Sequence, residues 1–286
     1  MKMKVSHLPN SSLIALAAVT LFAGCGRAEF TFDSAAQTLG QVNPPTVCAP
    51  GTPGTGTNLN GLAGSIKYLD DSQPRVSKVD DLLSTGHDSG AKLVLNNLSV
   101  PTINFSQGFS DPTTGSTLKR PDGTTLMEWF AFDLYSEIVL SDSESEGYYQ
   151  LALLSDDGST LSINATPSSA GTVLIDNDGT HPTQMGCANN AIYLKKNETL
   201  PIHLKYYEGP RYKIALTLVW RKVAGTSATK DASCGTSGDD LFWNSNVSPS
   251  APTANYNDLV ARGWKVPAAK NFLLPAGTGT NPCLSN

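Results

Sequence analysis

Two adjacent aspartates, Asp156 and Asp157, are the residues of this sequence whose type and spacing best suit metal binding. They lie in the run Ser155-Asp-Asp-Gly-Ser159, which has the composition of a turn between two strands. Adjacent carboxylates repel each other, and a hard cation such as Ca2+, which takes about six to eight oxygen ligands, stabilises a turn that holds both. Asp-Asp-Gly is also ordinary turn chemistry. The pair therefore indicates either a calcium site or a structural turn.

A second acidic turn, Asp176-Asn-Asp-Gly179, resembles the beginning of a calcium-binding EF-hand loop. Such loops carry a glutamate at the twelfth position, where Cys187 stands here. We interpret this segment as a hairpin turn.

Motifs of known catalytic sites are absent from the sequence. It has no Gly-x-Ser-x-Gly elbow, His-Glu-x-x-His pair, P-loop or Gly-x-Gly-x-x-Gly segment. Glycoside hydrolysis needs two separated carboxylates, and the candidate acids Asp156 and Asp157 are adjacent, which leaves Glu208 as the only distant one. We interpret the histidines outside the N-terminal leader described below as structural: His87, His181 and His203. We therefore do not expect an enzyme.

The composition excludes some classes of partner and fold. Of the 286 residues, 40% are hydrophobic, which is enough for a core, and 16% are charged, against about 25% in an average domain. Long charged helices and coiled coils are therefore not expected. Lys and Arg number 20 against 25 Asp and Glu, so no basic excess neutralises phosphate, and we expect no nucleic-acid partner.

The first 24 residues follow the plan of a secretory leader: Lys2 and Lys4, an apolar run over 13–22, and small residues before Cys25. The run is shorter than the roughly 20 residues that span a bilayer, which favours a cleaved leader over a permanent anchor. The segment Phe22-Ala-Gly-Cys25 resembles the lipobox of bacterial lipoproteins. That resemblance implies cleavage before Cys25 and anchoring of its sulfur and amino group by acyl chains such as palmitate.

The residue after the lipidated cysteine bears on localisation. Gly26 stands where an Asp would retain a lipoprotein in the inner membrane, so the resemblance implies the outer membrane, at either the periplasmic face or the cell surface. Cleavage by the ordinary signal peptidase, without lipidation, is the alternative.

Four further cysteines would lie in an oxidising compartment, where disulfides persist. Their spacings of 139, 47 and 49 residues contain no Cys-x-x-Cys or Cys-x-x-His pair, which disfavours a zinc site or a redox dithiol. An even number indicates two bridges, and three connectivities remain open. Because the ends of a β-sandwich can lie close together, we favour Cys48 with Cys283 and Cys187 with Cys234.

The composition changes along the chain divide it into four parts. Residues 1–24 form the leader, 25–57 a Pro- and Gly-rich flexible tether, 58–223 a strand-rich body and 224–286 a C-terminal extension. The extension has two aromatic segments, Asp239–Trp243 and Tyr256–Trp264, which are too few for a core. We expect them to pack on the body, pinned by Cys234 and Cys283; a partner-binding arm is the alternative.

The body alternates apolar and polar residues as half-buried strands do. Two such runs, 202–207 and 213–220, flank the turn residues Glu208-Gly-Pro210 and predict a hairpin. Further strands are predicted over 64–69, 91–95, 126–140, 148–154, 160–164, 172–175 and 191–194, with no helical stripe and an ordered surface loop over 105–125. This pattern predicts an all-β fold, an antiparallel β-sandwich or barrel.

Ordered motifs in the body resemble the PA14 domain. They are the opening Gly61-Leu-Ala-Gly64 and three longer runs, Gly147–Ile163, Val173–His181 and Leu200–Gly209, so that the resemblance covers about residues 58–222. It implies a β-sandwich of the kind found in bacterial toxins, glycosidases, fibro-slime proteins and yeast adhesins. In several of these the domain binds carbohydrate, and the glycosidases carry catalysis on a separate domain.

The resemblance also implies site residues. In the adhesin branch the aspartate pair, joined by a cis peptide, binds calcium, and the calcium binds vicinal sugar hydroxyls. A further ligand, usually Asn, lies in a later loop, and Glu208 stands at that position here, which departs from the sugar-binding pattern. The implied metal site is Asp156, Asp157 and Glu208. Tyr207 and Tyr212 are candidate sugar platforms if they are exposed, and packing is the alternative role for both.

The sequence thus predicts a lipid-anchored envelope protein whose calcium-loaded sandwich binds a glycan or cell-envelope polysaccharide. The alternative is a structural or assembly lipoprotein that binds another protein, with the Asp156-Asp157 turn as a fold element. An open cleft beside the carboxylates favours sugar, and a covered one favours structure.

Overall fold

The computed structural model describes residues 46–48, 59–110, 117–119, 123–227 and 230–276. The predicted leader, Cys25, Cys283 and the side chain of Cys48 lie outside this part of the chain, so the predictions that concern them stay predictions. None of the helices in the described ranges is long and apolar enough to cross a membrane.

Two sheets face each other in the described part of the chain. The first has eight strands: β1 (Thr46–Cys48), β2 (Leu62–Tyr68), β3 (His87–Leu95), β5 (Phe130–Val139), β7 (Ser159–Ile163), β8 (Thr172–Asn177), β11 (Thr199–Glu208) and β15 (Phe272–Leu273). Their order is β1-β3-β2-β5-β11-β7-β8, with β15 on β5, and all pairs except β1–β3 are antiparallel. The prediction of a flexible tether over 25–57 is therefore wrong for residues 46–48, which pair with β3.

The second sheet has five strands within the same ranges: β4 (Ser99–Asn104), β6 (Gly147–Asp156), β9 (Gln184–Cys187), β10 (Ile192–Leu194) and β12 (Lys213–Val223). Their order is β10-β6-β12-β4, with β9 beside β6, and every pair is antiparallel. The predicted all-β antiparallel sandwich is therefore confirmed.

The alternating residues of β11 and β12 fill the space between the sheets. All are fully or almost fully buried in one hydrophobic cluster: Ile202, Leu204, Tyr206, Ile214, Leu216, Leu218 and Trp220. Rings from β5 pack edge-on against Phe109, whose centroid is 4.8 Å from that of Phe132. The prediction of a surface loop over 105–125 is wrong for Phe109 and Leu118, which are fully buried. Both side chains pack in the hydrophobic core between the sheets.

The predicted hairpin between β11 and β12 is wrong. β11 pairs with β5 and β7 in the first sheet, and β12 pairs with β4 and β6 in the second, so residues 209–212 carry the chain from one sheet to the other. Likewise, residues 178–183 connect β8 in the first sheet to β9 in the second, so the predicted hairpin turn there is wrong too. The alternation of apolar and polar residues shows which face of a strand is buried. It does not show which sheet the strand joins, because both sheets bury one face in the same core.

Two short helices cover outer faces of the sandwich, although no helical stripe is predicted. Helix α1 (Val79–Thr85) lies on the first sheet, where its Val79 and Leu82 pack with Tyr207. Helix α2 (Ala254–Ala261) belongs to the extension. With seven and eight residues, each is too short to give a readable helical period.

The C-terminal extension packs on the outer face of the second sheet, as predicted. Its buried residues are Phe242, Trp243, Leu259 and Trp264, which cover Ala152, Leu154, Met185 and Val219. Strands β13 (Trp243–Asn244) and β14 (Ala251–Pro252) pair within it. The predicted Cys187–Cys234 disulfide is confirmed and ties the extension to β9.

Candidate functional site

Three connections between the two sheets meet at one end of the sandwich, and the predicted metal ligands lie on two of them. The first runs from Asp156 at the end of β6 to Ser159 at the beginning of β7. The second, residues 178–183, links β8 to β9, and the third begins after Glu208 at the end of β11. Register places them together, because Asp156 pairs with Ala215 at the beginning of β12 and Ser159 pairs with Asn177 at the end of β8.

Asp157 joins all three connections. Its Oδ1 accepts a hydrogen bond from the backbone N–H of His181 at 2.9 Å, and its Oδ2 accepts one from the backbone N–H of Gly209 at 2.9 Å. The peptide bond between Asp156 and Asp157 is cis. Thr183 donates its hydroxyl hydrogen to Asp156 Oδ2 at 3.1 Å.

Glu208 is buried beside the aspartates with one oxygen unsatisfied. Its side chain is fully buried, and Oε1 has no hydrogen-bond partner. The Tyr206 hydroxyl lies 2.6 Å from the backbone oxygen of Asp156 and 2.9 Å from Glu208 Oε2. Because that hydroxyl has one hydrogen and two acceptor neighbours, it cannot satisfy both. Glu208 Oε1 therefore lacks a hydrogen-bond donor or a cation.

We call Asp156, Asp157 and Glu208 the carboxylate cluster. Only 5% of Asp156 and 3% of Asp157 is exposed. Burial raises the pKa of Asp156 to about 8, with the charge of Asp157 adding to the effect. Burial raises the pKa of Asp157 to about 6 against the opposing effect of its two backbone donors, and it raises the pKa of Glu208 well above its usual value.

The cluster has the chemistry of a hard-cation site. Its donors are carboxylate oxygens, and no ion pair joins it to a Lys or Arg among the described residues. In the same part of the chain, no three His, Cys, Asp or Glu side chains are placed to hold a metal ion by themselves. A Ca2+ ion here would therefore complete its ligand set with backbone carbonyls or water, as Ca2+ commonly does.

An open pocket of about 500 Å³ lies beside the carboxylate cluster; its lining is Phe105, Glu128, Trp129, Pro210, Arg211 and Tyr212. Gly209 connects the two features. A Cβ added to Gly209 would lie 3.2 Å from Asp157 Oδ2 and 3.5 Å from Cζ3 of Trp129. The backbone N–H of Trp129 also donates to the Gly209 oxygen at 3.3 Å. We call this feature the aromatic pocket.

The lining of the aromatic pocket combines rings with a charged pair. Tyr212 is 75% exposed. Arg211 pairs with Glu128 at 3.2 Å, and its guanidinium lies 5.9 Å from the ring centroid of Phe105. Such a surface offers flat apolar faces next to hydrogen-bonding groups, which is a suitable lining for a small polar ligand.

The two candidate sugar platforms are in different environments. Tyr207 is fully buried under helix α1, and its hydroxyl lies 2.5 Å from that of Thr180, so its ring presents no face to a ligand. Tyr207 therefore packs, which was the alternative role. Tyr212 is exposed in the aromatic pocket.

The other polar residues considered from the sequence lie apart from the pocket or serve the fold. Asp178 accepts a hydrogen bond at 3.0 Å from the backbone N–H of Val79, the first residue of helix α1. His203, on the outer face of the first sheet, stacks on Tyr135 at 4.1 Å and hydrogen-bonds Asp133. His87 pairs with Asp70 at 2.9 Å.

Sequence reasoning missed the pocket residues Phe105, Trp129 and Arg211 and the donor Thr183. Trp129 has a positive φ of 59°, a conformation that its residue type does not signal. The available signal was the pair Glu128-Trp129 immediately before β5, because these two bulky side chains precede the alternating part of the strand.

Comparison with models of known protein families finds no match, and comparison with curated proteins finds none. Solved structures are similar at low identity. A PA14 sugar-binding domain from an RTX adhesin aligns with TM-score 0.44 and 14% identity over 63% of this chain and 99% of that one. The PA14 domain of the MpAFP antifreeze protein gives TM-score 0.39 and 12% identity over 72% and 96%.

A third similar structure is the A domain of epithelial adhesin 6 from Candida glabrata, in complex with Galβ1-3GlcNAc. It aligns with TM-score 0.41 and 16% identity over 74% of this chain and 98% of that one. The chain is thus structurally similar to PA14 domains, including adhesin domains, at 12 to 16% identity. Likenesses at this level assign no activity.

Proposed function

We propose that this protein is a lipid-anchored envelope protein whose sandwich binds Ca2+ in the carboxylate cluster and, through it, a carbohydrate. The observation that carries the proposal is the buried Glu208 Oε1, which has no partner and lies in a group of three carboxyls with no Lys or Arg ion pair among the described residues.

The energetics of burial support a cation in the cluster. Removing a carboxylate from water without a compensating charge costs several kcal/mol, so such a group either takes up a proton or binds a cation. In addition to burial, the charge of Asp157 raises the pKa of Asp156, and the charges of both aspartates raise the pKa of Glu208. One divalent cation relieves the repulsion within the whole group.

The aromatic pocket supports a carbohydrate as the second ligand. Sugar rings have apolar faces and many hydroxyls, and they fit surfaces where aromatic rings adjoin polar groups. Trp129 and Tyr212 offer rings, and the Arg211–Glu128 pair offers donors and acceptors. A cation in the cluster, across Gly209 from this pocket, would have sugar hydroxyls within its neighbourhood.

The lipobox and the tether support the envelope location. Acyl chains on Cys25 would hold the mature chain in the outer membrane, and residues 26–45, which precede strand β1, would separate the sandwich from it. A cell-envelope polysaccharide or the glycan of another cell is then the ligand within reach.

A second candidate function, docking of another protein by a sandwich with a purely structural carboxylate cluster, is favoured by one observation. The cluster is almost completely covered, with exposures of 5%, 3% and 0%. In the first candidate function a carbohydrate contacts a Ca2+ ion in the carboxylate cluster. In the second the cluster only supports the fold, and the partner is another protein.

A glycan-binding screen of the purified protein in Ca2+ and in EDTA tests the proposal. We expect binding in Ca2+ that is lost in EDTA and in the Asp156→Asn/Asp157→Asn variant. Asp142→Asn, which changes an exposed aspartate in another turn, is the matched control and keeps full binding. Equal glycan binding in Ca2+ and EDTA, or no glycan binding by a protein that does bind Ca2+, contradicts the carbohydrate function.

A further inference from the structure

The C-terminal extension runs beside the carboxylate cluster as an added edge to the second sheet. From Cys234, which is bonded to Cys187, the chain passes antiparallel to β9, and Ser237 forms a bridge with Gln184. Three backbone hydrogen bonds hold it: Gly235 N–H to Met185 O at 2.8 Å, Met185 N–H to Thr236 O at 3.1 Å, and Gly238 N–H to Thr183 O at 3.0 Å.

The last of these bonds reaches the residue that contacts Asp156. Thr183 is fully buried, and its hydroxyl donates to Oδ2 of Asp156 at 3.1 Å. Its hydroxyl also lies 2.9 Å from that of Thr102. The extension thus fixes the backbone on one side of Thr183, and the sandwich fixes the hydroxyl on the other.

We propose that the extension is part of the cation site: its segment 235–238 fixes the backbone of Thr183 and thereby positions the Thr183 hydroxyl on Asp156. This inference rests on the proposed function, since it assigns residues to the same site. The unpartnered, fully buried Glu208 Oε1 is the independent observation that the site takes a ligand. The Cys187–Cys234 bond would hold the segment in place.

Titration of the full chain with Ca2+ by calorimetry tests the inference. We expect Thr183→Val, which removes the hydroxyl that donates to Asp156, to weaken binding about two- to tenfold, the effect of losing one hydrogen bond. Thr217→Val is the matched control: it removes another buried hydroxyl, which donates to the Val100 oxygen, and we expect no change.

A second variant tests the positioning role. Cys187→Ser/Cys234→Ser frees the beginning of the segment 235–238, and we expect weaker Ca2+ binding with the near-ultraviolet circular dichroism of the folded core retained. If the cysteine variant binds as the wild type does, or if Thr183→Val binds as Thr217→Val does, the inference is overturned and the proposed function stands. If the wild type binds no Ca2+, the proposed function fails and this inference fails with it.

Discussion

Asp231 in the extension and the carboxylate cluster at the end of the sandwich are buried acids in opposite surroundings. Asp231, with 1% of its side chain exposed, accepts from Arg221 at 3.0 Å, from Arg262 at 2.9 Å and from the indole N–H of Trp264 at 3.0 Å. Burial alone would raise its pKa, but the hydrogen bonds from Arg262, the Ser233 N–H and Trp264 hold that pKa well below the usual value. Burial of the cluster, by contrast, raises the pKa of all three members.

The two regions differ in what the chain supplies to a buried acid. It supplies two guanidinium groups to Asp231, so this carboxylate is complete and ties the extension to β12. To the cluster it supplies backbone and hydroxyl donors but no Lys or Arg ion pair in the described ranges, and one buried oxygen is left over. The carboxylate cluster therefore needs protons or a cation for charge balance, and the proposed function is the second of these.

Removing the charge of Asp231 is expected to have the largest effect on stability. In Asp231→Asn the two guanidinium groups lose their shared carboxylate, and breaking such a buried pair costs about 3 to 5 kcal/mol. Urea unfolding followed by tryptophan fluorescence measures the free energy of unfolding. A loss below about 1 kcal/mol would contradict the view that this centre holds the extension.

Saturating Ca2+ is expected to stabilise the wild type by a similar amount. At a thousandfold excess over the dissociation constant, ligand binding adds about 4 kcal/mol to the free energy of unfolding. Glu208→Gln keeps the shape of the side chain and cannot ionise, so we expect higher stability in EDTA at neutral pH and a reduced response to Ca2+. Thermal unfolding in EDTA and in Ca2+ measures both, and an undiminished response would remove Glu208 from the ligand set.

The two regions are expected to respond to pH in opposite directions. In EDTA, Asp156 and Asp157 have folded pKa values of about 8 and 6 against the usual 3.8, so the folded state binds more protons and stability rises as pH falls from 8 toward 4. The contribution of Asp231, whose folded pKa is lowered, is present above pH 4 and is lost as pH falls further.

Urea unfolding across pH 3 to 8 measures this profile. We expect the rise between pH 8 and 5 to shrink in the Asp156→Asn/Asp157→Asn variant, with the part that comes from Glu208 retained, and the loss below pH 4 to shrink in Asp231→Asn. Saturating Ca2+ should reverse the rise, because protons then compete with the cation. A wild-type profile that is flat from pH 8 to 5 in EDTA contradicts the assigned surroundings of the cluster.

The smallest expected effect on stability comes from the aromatic pocket. Tyr212→Ala removes a ring that is 75% exposed, so the free energy of unfolding should change by less than about 0.5 kcal/mol. Glycan affinity should fall about tenfold if the ring forms part of the sugar site, as aromatic anchors do in other interfaces. Affinity for Ca2+ should stay the same, which separates the pocket from the cluster.

Much of the fold was readable from the sequence because burial leaves a pattern. Ile202, Leu204 and Tyr206 alternate with polar residues, and the sandwich follows from many such strands. The crossing at Gly209 was not readable, because a strand alternates in the same way in either sheet. Tyr207 could not be placed either, since helix α1 covers the outer face on which it lies and seven residues leave no period.

The site was readable only in part for a related reason. The Asp156-Asp157 pair is visible because both its charges are in the side chains and adjacent. The groups that complete its surroundings are backbone N–H groups of His181 and Gly209, which every residue type has, and the hydroxyl of Thr183, one threonine among many. Their arrangement depends on which connections meet at one end of the sandwich, and only the fold determines that.

Calorimetric titration of Ca2+ into the metal-free, full-length protein decides whether the carboxylate cluster binds a cation. We expect micromolar binding of one ion, abolished in Asp156→Asn/Asp157→Asn and unchanged in Asp142→Asn. No heat of binding in the wild type, together with a melting temperature that is the same in EDTA and in Ca2+, would contradict this expectation and would make the carboxylate cluster a protonated element of the fold.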